Sequence, residues 1–147
     1  MNLSERLNED MKQAMKNQDK FKLSTIRMVR ATIKNLEIDL KRTLNDNEVL
    51  DILSREIKQR KDALQEFEKA GRDDLAQQVK AEAEILAEYL PEQLSEEEIK
   101  VIVQQTIQET GASSKAEMGK VMSALMPKVK GLADGRLVNQ VVKQLLP

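Results

Sequence analysis

Apolar residues recur along the chain at steps of three and four, the period of an amphipathic α-helix rather than the alternation of a strand. Leu3, Leu7, Met11 and Met15 mark a first helix, with Ser4 expected as N-cap and Leu3 before it as a hydrophobic staple. Leu23, Ile26, Val29, Ile33, Leu36 and Leu40 continue the same stepping and mark a long second helix. Asn45 followed three residues later by Glu48 has the form of a capping box, opening a third helix whose inner face carries Leu50, Leu53, Ile57, Leu64 and Phe67 and which should stop at Gly71. Asp73 is expected to cap a fourth, bearing Leu75, Val79, Leu86 and Leu90. Pro91 should end it, because a residue before proline is pushed out of the α region.

Ser95 and Glu98 repeat the capping-box pattern and open a helix with Ile99, Ile102, Val103 and Ile107, ending near Gly111. Ser114 with Glu117 should open the next, carrying Val121, Met122, Leu125 and Met126 and closing before Pro127. Asp134 is placed to cap a last helix with Leu137, Val138, Val141, Val142, Leu145 and Leu146. The expected fold is all-α. A domain of about four helices, two of them long, spans residues 1–91, residues 92–94 form a hinge, and a small three-helix domain spans 95–147.

Composition narrows the chemistry. The 147 residues include no His and no Cys, which removes a histidine base, a Ser-His-Asp triad, a thiol nucleophile and any zinc or iron–sulfur site built on those ligands. Phe21, Phe67 and Tyr89 are the only aromatics, too few for a platform that stacks bases. There is no glycine-rich phosphate loop, and Asn45-Asp46-Asn47-Glu48 lacks the glycine and terminal glutamate of a calcium loop. No catalytic, cofactor-binding or metal-binding residues are therefore assigned. No run of apolar residues approaches a membrane span, and the first residues lack the apolar stretch of a secretion signal, so a cytoplasmic address is expected.

Charge is distributed unevenly beneath a formal net of −1. From Glu82 to Thr110 one lysine stands against eight glutamates, a net of −7. Glu82, Glu84 and Glu88 are expected on a solvent face, and Glu96, Glu97 and Glu98 at a helix start, where the dipole favours them. From Gly111 to Pro147 six basic residues stand against two acidic ones, giving +4, and from Lys20 to Arg42 seven stand against two, giving +5. Lys115, Lys120, Lys128, Lys130, Arg136 and Lys143 are the candidate phosphate-neutralising groups. Lys128, Lys130 and Arg136 flank a glycine-containing turn at a helix start. Met118, Met122 and Met126 repeat every four residues, either as core or interdomain contact or as an adaptable groove.

Met118-Gly119-Lys120-Val121-Met122, followed by Gly131-Leu132-Ala133-Asp134-Gly135-Arg136-Leu137-Val138-Asn139, resembles the C-terminal tail of GatB, the B subunit of the tRNA-dependent amidotransferase. With Arg27, Ala31, Lys34, Lys58, Arg60, the run Ala70-Gly71-Arg72-Asp73-Asp74-Leu75-Ala76 and the run Tyr89-Leu90-Pro91-Glu92-Gln93-Leu94-Ser95, the chain resembles the YqeY family over essentially its full length. The resemblance implies a non-catalytic, tRNA-binding or amidotransferase-related accessory protein, with tRNA and the amidotransferase or another translation-related protein as partners. The catalytic parts of that carbon–nitrogen ligase, which uses glutamine as amide donor, have no counterpart here. An auxiliary role in such a ligase and a helical protein–protein adaptor are the alternatives. Gly119, Gly131, Asp134 and Gly135 are expected as structural turn residues, the glycines for tight turns and close helix approach. Leu132 stands where a basic residue is expected, and Ser123 where glycine is common.

Overall fold

A computed structural model describes all 147 residues, and it is helical throughout. Seven α-helices follow one another: α1 (Leu3–Lys16), α2 (Lys20–Leu40), α3 (Asp46–Lys69), α4 (Asp73–Ala87), α5 (Glu96–Thr110), α6 (Met118–Val129) and α7 (Gly135–Leu145), with a short 3-10 turn at Lys115–Glu117 before α6. The chain divides into two compact units, Met1–Leu90 and Pro91–Pro147.

In the first unit α3 and α4 form the closest-packed pair and α1 lies along α2. Leu7, Ile26, Val29, Ile33, Val49, Ile52, Leu53, Ile57, Leu86 and Tyr89 make the core. The stripes read from the sequence fall on this core at most positions. Met15 is instead half exposed, with Ala14 buried in its place, and Leu40, the last residue of α2, is exposed. The Tyr89 hydroxyl donates to the Asp10 carboxylate at 2.5 Å, and the Arg6 guanidinium lies 4.6 Å from the ring centroid while donating to the Glu88 carbonyl. These contacts tie α1 to the end of α4.

Helix ends follow the side chains that can satisfy free backbone groups. Asn45 and Glu48 cap α3 reciprocally, as do Ser95 and Glu98 at α5. At α1 the box is made by Asn2 and Glu5, not by Ser4: Asn2 accepts from the Glu5 N–H at 2.8 Å. Helix α4 starts at Asp73 after Arg72, which makes no side-chain cap, so Asp73 lies inside the first turn. The Ser114 side chain also caps nothing. The Glu117 carboxylate reaches back to the Ser113 N–H, which tightens this stretch into the 3-10 turn.

The second unit packs α5 against both α6 and α7 around Ile99, Val103, Val121, Leu125, Val129, Val138, Val141 and Val142. Pro127 lies within α6, contrary to the expected stop. It falls in the last turn, where it takes away the donor for the Ser123 carbonyl, and continuing the helix buries Val129, which offsets that loss. Residues expected to form a hinge are bonded into this unit: the Leu94 N–H donates to the Leu132 carbonyl at 2.8 Å and the Gln93 amide to the Gly131 carbonyl at 2.9 Å.

Candidate nucleic-acid interface

The candidate cations occupy both ends of the α6–α7 pair. Lys115 lies in the 3-10 turn, Lys120 in the first turn of α6 and Lys143 in the last turn of α7. The Lys115 N–H donates to the Pro147 carbonyl at 3.2 Å, which brings the start of α6 to the end of α7. Lys128 closes α6, Lys130 follows it and Arg136 opens α7, so these three form a separate group beside the Gly131 turn. All six residues are exposed.

Their electrostatic surroundings differ. The Lys128 ammonium donates to the Glu109 carboxylate at 2.6 Å and to the Thr106 hydroxyl at 3.0 Å, so its charge is already opposed by a carboxylate. Asp134 accepts from the Arg136 N–H at 2.9 Å and occupies the N-terminus of α7, where a phosphate would otherwise bind. The other group is less encumbered. Lys120 stands near Glu117, whose carboxyl is held below its usual range first by the Ser113 N–H and then by the Lys120 charge. Lys115 and Lys143 donate to no carboxylate.

Of the glycines read as turn residues, only Gly131 needs its identity for the backbone, with φ of +75°. Gly119 and Gly135 have ordinary helical positions, and a Cβ on either would meet nothing within 4 Å, which corrects the expected close helix approach. Met118 and Met122 pack against the second core, whereas Met126 is 40% exposed, so the methionine stripe turns mostly inward.

The sequence placed Glu82 on a solvent face, but the structure buries it beside Arg60, with Oε2 3.5 Å from the guanidinium Nε. Arg60 also pairs with Glu56 at 2.7 Å. Burying a carboxylate requires a cation, and Arg60 supplies one from the facing helix α3. These residues border an open groove of about 440 Å³ between α2, α3 and α4, with Phe21, Met28 and Val79 on its walls.

Two helical units, each closed around its own core, define the class as a small all-α protein. The chain belongs to the YqeY family: the family described as Yqey-like protein matches residues 4–146. Among its relatives is the protein named altered inheritance of mitochondria protein 41, mitochondrial. The version from Pyrenophora tritici-repentis is 29% identical over 144 residues, covering 96% of this chain and 79% of the relative. The version from Saccharomyces cerevisiae is 32% identical over 148 residues, covering 94% and 80%. In Vanderwaltozyma polyspora the identity is 44% over 85 residues, covering 57% of this chain and 46%, about half, of the relative. These relatives are mitochondrial by name and overturn the cytoplasmic address expected from the sequence. An apolar leader bears on secretion alone, and composition does not separate cytoplasm from the interior of an organelle.

Proposed function

We propose that this protein is a non-catalytic accessory module that binds tRNA through the phosphate backbone, in the setting of the amidotransferase or another translation-related assembly. The observation that carries the reading is the grouping of Lys115, Lys120 and Lys143 at one end of the α6–α7 pair, exposed and held by no carboxylate hydrogen bond. Such cations neutralise phosphates and position a folded RNA without reading its sequence. The resemblance to the tail of an amidotransferase subunit supports the choice of tRNA. Lys128 contributes less than its sequence position suggests, since binding a phosphate would mean giving up Glu109.

The test is a triple variant, Lys115→Gln, Lys120→Gln and Lys143→Gln, titrated against total tRNA at several salt concentrations. Each lost phosphate contact reduces the slope of log affinity against log salt by about 0.7 to 0.9. A fall of about two is expected for the triple variant. An unchanged slope and affinity would remove these lysines from the interface.

A further inference from the structure

Helix α2 carries a second row of cations that the reading above leaves unused. Lys20, Arg27, Lys34 and Lys41 follow one another at intervals of seven residues, from the first residue of α2 to its C-cap. Seven residues are nearly two full turns, so Lys20, Arg27 and Lys34 lie on one side of the helix, with Lys41 continuing the row at its end. Each step is about 10.5 Å along the axis. The buried face, formed by Thr25, Ile26, Val29 and Ile33, points the opposite way, and all four cations are exposed.

None of the four makes an ion pair or a side-chain hydrogen bond. Nearby carboxylates are engaged elsewhere: Asp19 accepts from the Lys22 N–H, and Glu37 from the Leu44 N–H at 2.9 Å. Surface lysines and arginines usually stand among compensating acids, and like charges along one helix face are mildly destabilising. This row has no such compensation. Ser24 and Ala31 lie between the cations, and their small side chains leave a shallow depression bounded by Lys20, Leu23, Arg27 and Met28.

We propose that this face of α2 is a second contact for the phosphate backbone of folded RNA, with Lys20, Arg27, Lys34 and Lys41 as its cations. The inference rests on the tRNA-binding reading and adds a surface on the first unit. A regularly repeating polyanion suits a regularly spaced row of unpaired cations, and the small residues between them let a phosphate ridge approach the helix closely. Double-helical RNA is favoured over single strands, because Phe21 is the only aromatic on α2 and base stacking needs more. Ser24 and Ala31 give a phosphate ridge room between the first three cations, while exposed Phe21, Met28 and Ile38 on the same helix make a lipid surface the competing occupant, which the vesicle titration below tests.

The experiment compares three full-length proteins: wild type, the α2 variant Lys20→Gln/Arg27→Gln/Lys34→Gln, and the second-unit variant Lys115→Gln/Lys120→Gln/Lys143→Gln. Each is titrated by fluorescence anisotropy against tRNA from about 50 to 200 mM salt, and against phosphatidylglycerol vesicles at the same salt. Helical circular dichroism confirms that each variant is folded. In the α2 variant the slope should fall by about two. The affinity advantage of wild type should shrink about tenfold or more across that salt range. Wild-type binding with an unchanged slope and affinity in the α2 variant overturns this proposal and leaves the tRNA reading standing. A change in the α2 variant alone supports this proposal and removes the second-unit lysines. No binding of tRNA by wild type overturns both, and vesicle binding lost only in the α2 variant would assign the row to lipid instead.

Discussion

Arg60 shows how far a single buried charge constrains the first unit. It faces Glu56 and Glu82 at once, and Glu82 is nearly closed off from solvent. Removing the cation leaves a largely buried carboxylate without its counter-ion. Arg60→Ala should destabilise the protein by about 3 kcal/mol or more, read from chemical denaturation. The double change Arg60→Met with Glu82→Leu should recover most of that loss, since well-packed apolar groups replace such pairs at little cost. Equal loss in the double variant would contradict the account. Glu48 gives a pH dependence of determined sign. The bidentate Arg42 guanidinium, at 2.8 Å to each oxygen, holds its carboxyl down to about 2, helped by the Asn45 N–H. A depressed pKa contributes stability that is present above the unfolded value, about 4.5, and is lost as pH falls through about 2. Thermal midpoints followed from pH 5 down to about 2 should therefore drop more steeply in wild type than in Glu48→Gln. Parallel profiles would show that the pair does not report on folding.

At the scale of elements, the Gly131 turn and the start of α7 respond to the same substitution in opposite directions. Alanine at Gly131, where φ is +75°, must enter the left-handed region and should cost about 1 to 2 kcal/mol, although space around it is open. Alanine at Gly135, the first residue of α7, meets nothing and restricts the unfolded chain, so a gain of about 0.5 kcal/mol is expected. Thermal denaturation of the two single variants checks the pair, and shifts of the same sign would refute it. Helix count and type were legible because the apolar period is long and because Asn45, Ser95 and Asp134 announce their own helices. What was not legible depended on competition between neighbours. Asn2 outcompetes Ser4 because Glu5, three residues after it, can return the bond. Pro127 stays helical because Val129 gains a place in the core. Glu82 looks solvent-facing until α3 supplies Arg60, a contact between residues 22 positions apart in sequence. The group of Lys128, Lys130 and Arg136 was legible beside its glycine turn, but the approach of Lys115 to the end of α7 was not, and the pairing of Lys128 with Glu109 has no local signature. The α2 row was visible only as a net charge; its regular exposure emerges once the buried face of the helix is known.

For the molecule as a whole, near neutrality conceals separated charge. A net of −1 is made of an acidic stretch through α5 and basic stretches on α2 and in the second unit, so overall charge says little about the polyanion such a surface can hold. The chain holds neither His nor Cys, so any chemistry it performs uses other side chains. On the function proposed above, the cations of each unit hold folded RNA and prefer tRNA. The most direct measurement is a fluorescence-anisotropy titration of the wild-type protein with total tRNA at several salt concentrations, beside an RNA duplex of similar length. Salt-sensitive binding that is tighter for tRNA than for the duplex is the expected result. Absence of binding even at low salt, or equal affinity for the two RNAs, would overturn that function.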